Sequence, residues 1–354
     1  MTRIEQHGLV LIERVPRALF LGQARHTLKM VTVVNNLAFM DGQVEILVIG
    51  GSFAGLAAAK ALARSNRSVA VIDSGSPRNE PSPRASNVLG REGEAPVDIV
   101  ATARQEALNY GVELLEGRAV QVQQRALSDY ADGIGFVVQY EQNSREIAEC
   151  VARRVILATG LSDEVPDLPG LSEGWGEDVL HCPYCHGYEY RGRRVAILAT
   201  NSFIAHFAAL FARLSEVTVV EHAGEIDEES RRLIEAAGAR IVSGPAISVK
   251  RSAGVSVELA GGVEVEADAV AVMPYFRANA DLYTAMGGEL EELPNGVQVP
   301  TDEVGQTSIP GLWAAGNVAD AQAMLEGAVA HGVKVAAMLN ANMEMADLQA
   351  RAEN

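Results

Sequence analysis

The sequence predicts an α/β protein built from two tandem three-layer α-β-α folds. Three observations predict it. A strand, a glycine-rich turn, a helix, a second strand and an acid follow one another over residues 44–73. The same order of strand, turn, helix, strand and acid, without the glycines, recurs over residues 195–221. The composition holds 33 glycines and only 5% aromatics, which suits tight strand-to-helix turns.

In the first unit, Val44–Ile49 is a short continuous apolar run, the pattern of a buried strand. It enters Gly50-Gly51-Ser52-Phe53-Ala54-Gly55. An alanine-rich helix is predicted over Leu56–Arg64, then a strand Val69–Ile72 ending in Asp73. This is the Rossmann-like dinucleotide-binding order. Gly50 allows the tight turn, and Gly55 lets helix and strand pack closely. The helix N-terminus offers N–H donors to a phosphate. Ser52 stands where a second glycine is usual, and it is small enough to let the backbone approach a pyrophosphate. Asp73 follows at about 20 residues, the distance for a ribose hydroxyl.

The second unit has strand Val195–Leu198, a helical run Ser202–Leu214, strand Val217–Val220 and Glu221. Its turn, Ala199-Thr200-Asn201-Ser202-Phe203-Ile204, has no glycine. Asn201 puts a side chain where backbone should meet a pyrophosphate, and Ile204 is bulky where helix and strand should touch. No arginine cluster follows to receive a 2′-phosphate. Glu221 repels one, while accepting from a free ribose.

Between and beyond the units, Val155–Leu157 leads into Ala158-Thr159-Gly160, and residues 240–272 are rich in strand and turn signals. Pro310–Asn317 precedes a helix predicted from about Ala321 to Met338. Pro166, Pro169 and Gly170 mark a hinge, and Pro274–Asp281 a return crossing.

The chain has three cysteines, and two stand in Cys182-Pro183-Tyr184-Cys185, followed by His186. This run admits disulfide exchange, haem attachment or zinc binding. Haem attachment needs export, and the apolar run Leu9–Ile12 is cut by Glu13 and Arg14, a poor secretory core. Zinc on His181, Cys182, Cys185 and His186 wants a distant second ligand pair, and Cys150 is the only other thiol. No metal is expected. A CxxC thiol can have a lowered pKa and react as thiolate. His186, with an ordinary pKa near neutrality, is a candidate proton carrier. Glu189, three positions on, can orient it if the segment is helical. A solvated His–Glu pair is the plain alternative. Cys150 reads as a packed thiol, and Tyr184 and Tyr188 as packing residues.

The formal net charge of −17 argues against nucleic acid and against an anionic membrane surface as partners. No apolar run reaches membrane-spanning length. Three cysteines make no disulfide framework, which fits a reducing cytoplasm. Residues 1–43 read as an N-terminal extension, with Met40 a candidate start.

Together, the Gly50–Gly55 turn, Ala158-Thr159-Gly160, the cysteine pair and Ala315-Gly316-Asn317 resemble the thioredoxin-reductase-like branch of the flavin-dependent pyridine nucleotide–disulfide oxidoreductases. The resemblance spans about residues 44–340. It implies a second fold inserted into the first. A discontinuous FAD-binding domain would comprise 44–162 and 282–345, and an NAD(P)-binding-like insert with the cysteines would comprise 163–281. Residues 346–354 would form a tail. It implies FAD held by Gly50, Gly51, Ser52, Phe53, Ala54, Gly55, Asp73, Asn79, Thr159, Gly160, Gly316, Asn317 and Gln322. Asn317 replaces the family's aspartate and keeps a hydrogen-bonding carbonyl. Cys185 would face the flavin and Cys182 would exchange with substrate. The run 182–189 is similar to dithiol oxidases that close disulfides in small natural products, and to bacterial thioredoxin-reductase-like proteins. Thioredoxin reductases proper carry an aspartate where His186 stands, and keep a glycine-rich NADPH turn. The implied function is FAD-dependent transfer of two electrons between a thiol/disulfide substrate and FAD, without tight NADPH binding. An NADPH-dependent thioredoxin reductase with an atypical loop, and a flavin-binding redox sensor, are the alternatives. The implied partners are a small dithiol or disulfide, or a thioredoxin-like protein. A homodimer is implied as well.

Overall fold

The computed structural model describes residues 43–128, 130, 132–222, 226–251 and 254–353. The expected extension and the candidate start at Met40 lie outside the described residues, Gln43 apart.

The first fold opens as its apolar runs dictate. Strand β1 (Gln43–Ile49) is followed by α1 (Phe53–Arg64) and β2 (Val69–Asp73). β2 lies parallel to β1, Ile46 opposite Val69. Helix α2 (Pro96–Asn109) starts on a proline, whose fixed φ suits a first turn. Strand β3 (Glu113–Gln124) pairs parallel to β2 at its start, then antiparallel to β4 (Phe136–Gln142). Strand β5 (Ile147–Leu157) pairs antiparallel to β4 and then parallel to β1. The sheet is thus parallel at its centre, with an antiparallel three-stranded extension.

The chain then leaves this fold through β6 (Leu161–Glu164). The second fold comprises β7 (Val179–Leu180), α3 (Pro183–His186), β8 (Arg194–Ala199), α4 (Ile204–Ala212), β9 (Glu216–Glu221), α5 (Glu228–Ala236) and β10 (Arg240–Val242). It continues through β11 (Ala246–Arg251), β12 (Val255–Leu259), β13 (Glu264–Ala267) and β14 (Ala269–Val272). A parallel sheet runs β10-β9-β8-β14-β7, flanked by the antiparallel meander β11-β12-β13. Strand β15 (Tyr275–Ala278) brings the chain back, antiparallel to β6. After α6 (Asp281–Ala285), β16 (Glu291–Leu293) and β17 (Gly296–Gln298), strand β18 (Leu312–Ala314) joins the first sheet beside β5. Helix α7 (Leu325–Glu353) ends the described chain. The protein is therefore α/β with two Rossmann-type folds, the second inserted into the first. Apolar side chains pack on both faces of each parallel sheet. Among the described residues no helix is long and apolar enough to cross a membrane.

Four local expectations change. Helix α4 runs Ile204–Ala212 rather than Ser202–Leu214, because Asn201 Oδ1 accepts the Phe203 N–H (3.0 Å) and holds a turn ahead of it. The Pro166–Gly170 stretch is no free hinge. Val249 donates to Pro169 O at 2.8 Å, and the Arg251 guanidinium to Gly170 O. The last helix starts at Leu325 rather than near Ala321, because the Asn317 amide donates to Asp320 O (3.0 Å) and Ala323 O (2.8 Å) and keeps that loop closed. It then continues through Glu353, so most of the expected tail is helix. Its buried residues Ala328, Gly332, Val335, Ala336, Leu339 and Met343 recur at three- and four-residue spacing. Asp347, two turns from its end, ion-pairs with buried Arg153 at 2.6 Å.

Candidate active site

The site grows from the ends of the parallel strands. β1 runs into Gly50, whose φ of +108° is open to glycine at low cost. A Cβ at Gly50 would strike Ala158 O, and one at Gly55 would strike Gly50 O. Both glycines are therefore demanded by close backbone approach. Ser52 caps α1 without a side-chain hydrogen bond, and the first turn holds no acid. Its N–H groups stay available to an anion. Asp73, at the end of β2, accepts the Gly51 N–H (3.0 Å) and the Arg104 guanidinium (2.6 Å).

One cleft of about 1400 Å³ unites this turn with the cysteines. Gly50–Ala54, Asp73, Asn79, Thr159, Gly160, Cys182, Cys185, His186, Asn317 and Gln322 all line it. Gly55 and Gly316 serve behind its wall. Gly316 has φ +75°, and a Cβ there would meet Ala54 Cβ. The donor that distinguishes Asn317 from an acid is spent on its own loop, and its Oδ1 accepts weakly from Arg78 at 3.4 Å. Thr159 donates to Asn279 O (2.7 Å), tying the Ala158-Thr159-Gly160 turn to the end of β15.

Cys182 and Cys185 form a disulfide with Cα atoms 5.2 Å apart. Pro183 starts the single turn α3, and Cys182 Sγ accepts the Cys185 N–H at 3.1 Å. α3 packs against α4 of the inserted fold. Cys150 is buried, and desolvation, with Glu113 adding, pushes its thiol up to about 12, so it is inert. Tyr184 and Tyr188 are not core packing residues; Tyr188 has the Arg191 guanidinium 5.8 Å over its ring. The two tyrosines are 61% and 67% exposed.

His186 Nε2 meets Ser82 Oγ at 3.2 Å. Burial holds its imidazole below the ordinary value. Glu189 opposes this shift and Arg84 adds to it. Glu189 makes no hydrogen bond to His186; its Oε1 instead faces the Arg84 guanidinium at 3.9 Å. The expected orienting contact is thus replaced by an ion pair, because the helix breaks into a 3-10 turn at Gly187.

Sequence reasoning passed over Arg78 and Ser82, and weighed His181 only as a zinc ligand. Arg78 grips Asp163 of β6 with two bonds (2.7 and 2.6 Å) and lies 5.3 Å over the Phe276 ring of β15. His181 stacks on Trp175 (5.6 Å, 19°) and meets Phe276 edge-on (6.1 Å). Desolvation, with Arg78 adding, pushes His181 down to about 4. Ser82 comes from a loop 104 residues before His186. Only His181, beside the first cysteine, carried a local signal. Among the described residues no cluster of three or more His, Cys, Asp or Glu could hold a metal ion.

A glycine turn that can receive a pyrophosphate, facing a bonded CxxC pair across one cleft, defines an oxidoreductase acting on sulfur groups. The model of the pyridine nucleotide-disulphide oxidoreductase family matches residues 44–338, and the chain belongs to that family. It is thioredoxin-reductase-like. Thioredoxin reductase tcpT of Claviceps purpurea is 31% identical over 289 residues, covering 77% of this chain and 86% of that protein. Thioredoxin reductase sirT of Leptosphaeria maculans is 30% identical over 329 residues, covering 87% and 97%. The crystal structure of HlmI superposes with a TM-score of 0.81 at 34% identity, covering 89% of this chain and 96% of HlmI.

Proposed function

We propose that the protein passes two electrons between a thiol/disulfide substrate and FAD through Cys182 and Cys185, without tight NADPH binding. The observation that carries this reading is the shared cleft of the Gly50–Ala54 turn and the Cys182–Cys185 disulfide. The FAD-binding part is assigned to 44–162 and 282–345, and the cysteine-bearing insert to 163–281.

The residues present fit FAD. The unused amides at the start of α1 suit its pyrophosphate, and Asp73 suits a ribose hydroxyl. The side chains of Asn79, Thr159, Asn317 and Gln322 line the remaining cleft. Bound there, the flavin supplies a two-electron acceptor or donor. The protein's own residues do the rest. Cys182 exchanges with the substrate sulfur, and Cys185, on the next turn of chain, carries the electron pair inward. His186 holds or moves the thiol proton, and Ser82 sets its ring. The Thr159–Asn279 and Arg78–Asp163 contacts keep the disulfide fold against the cofactor fold.

Weak NADPH binding follows from the second turn. Asn201 Oδ1 already takes the Phe203 N–H, one of the amides a pyrophosphate would use, and Glu221 is paired with Arg231. The substrate is a small dithiol or disulfide, or a thioredoxin-like protein. The resemblance and the cysteine count favour a cytoplasmic homodimer. Anaerobic bleaching of the bound flavin tests the reading. A dithiol should bleach it stoichiometrically, and NADPH should not do so at a comparable rate. Rapid stoichiometric bleaching by NADPH would instead establish the NADPH-dependent thioredoxin reductase.

A further inference from the structure

A second cavity of about 540 Å³ lies behind the disulfide turn, and His186 lines both it and the main cleft. Arg84, Glu177, Tyr188, Glu189 and Arg193 line the second cavity as well. His186 Nδ1 and Glu189 Oε2 are buried and have no hydrogen-bond partner among the described residues. Polar atoms in that condition are rare, because a buried donor or acceptor left without a partner forfeits its hydration with nothing in return. The hydrogen bonds around His186 assign its tautomer. Ser82 spends its one proton on Arg84 O (2.7 Å), so it accepts from His186 Nε2–H. Nδ1 is then the basic nitrogen.

We propose that this second cavity is the proton port of the disulfide centre, with His186 Nδ1 as acceptor and Glu189 as outlet. The inference rests on the redox reading above. The substrate's first thiol is deprotonated, and its sulfur attacks Cys182 Sγ. The Cys182–Cys185 bond breaks, and Cys185 leaves as thiolate with the electron pair. The second thiol loses its proton, and its sulfur attacks the substrate sulfur of the mixed disulfide, which releases Cys182. Two electrons now rest on the enzyme. Of the two protons, one returns to Cys182 and the other leaves through His186 to Glu189. Glu189 is a positioning residue, since it acts through His186.

The charged and titratable groups around His186 are Arg84 from the loop before α2, Glu177 and His181 from the segments around β7, Arg193 before β8, and Tyr188, Glu189 and Tyr190 on its own segment. Glu189 and Arg84 act on it with opposite sign. The test follows opening of the disulfide by dithiothreitol, anaerobically, with rapid-quench alkylation and mass read-out across pH. Glu189→Gln should slow exchange at pH 7 by about tenfold or more and move the acid limb to lower pH. Arg84→Ala should move it to higher pH, and Glu189→Asp should restore most of the rate. Limbs of both variants that coincide with the parent's, or that move the same way, overturn the port. If dithiothreitol opens the parent's disulfide at no pH, the redox reading falls. The port is then judged by the NMR titration of His186 in the oxidised protein, where opposite shifts in the two variants sustain it and unmoved midpoints overturn it.

Discussion

His181 shows how one side chain couples chemistry to stability. It lies between Trp175 and Phe276, and its imidazole is pushed down to about 4 by desolvation first and Arg78 second. The ring is therefore neutral at physiological pH. A depressed histidine loses stability as pH falls from its unfolded value of about 6.5 toward the folded one. The chain should weaken by on the order of 1–2 kcal/mol between pH 7 and pH 5 from this group. His181→Phe keeps the ring and removes the proton, so its urea midpoint should fall less over that interval. An equal fall in both proteins would show that His181 does not carry the acid sensitivity. Next to it, the cysteine pair, the glycines and His186 were all legible from local spacing. Ser82, Arg84 and Arg78 were not, because each reaches the site across a long stretch of sequence.

At the scale of the element, α7 matters most. Gly332 sits where a Cβ would collide with Ala54 O of α1. That contact seats the helix against the start of α1, the turn proposed to hold the cofactor. Gly332→Ala should lower stability by about 1–3 kcal/mol through overpacking, read from urea denaturation, and should raise flavin loss on dialysis. Farther along, Arg153 is 1% exposed and binds Asp347 and Asp132, with its guanidinium 4.6 Å over Tyr130. Desolvation raises the Asp132 carboxyl, but hydrogen bonds from Arg154 and Arg153 win and hold it at about 2. Its stabilisation is full above about pH 4 and is lost as pH falls toward about 2. The apolar stripe predicted that a helix exists here. Its length was hidden, because Glu344 and Asp347 are held by ion pairs to Arg67, ahead of β2, and Arg153 of β5, which no periodicity reveals.

The whole molecule is joined by its crossing strands. β6 and β15 pair antiparallel, and Arg78 binds Asp163 across the junction. Arg78→Ala leaves Asp163, a nearly buried carboxylate, without its partner. It should cost about 2 kcal/mol or more, seen as a lower Tm, and should speed proteolysis between the two folds. Unchanged Tm and cleavage would mean that the strand pairing alone holds the junction. The two-fold architecture was legible because each βαβ unit repeats one pattern. What misled was the hinge read at Pro166, Pro169 and Gly170, since proline marks irregular backbone and not a free joint. The Pro166–Gly170 segment is instead anchored to β11.

The edge strand β18 has a consequence for birth on the ribosome. The first sheet lacks this strand, and α7 behind it, until Leu312 has been made, long after Leu157 closed β5. At roughly 5–20 residues per second the interval is about 8–30 s. Every strand of the second parallel sheet lies within residues 179–272, so that sheet is complete first. The nascent chain must therefore keep the apolar edge of β5 unpaired while the fold inserted after it matures, and the protein's first-made half is the last to close.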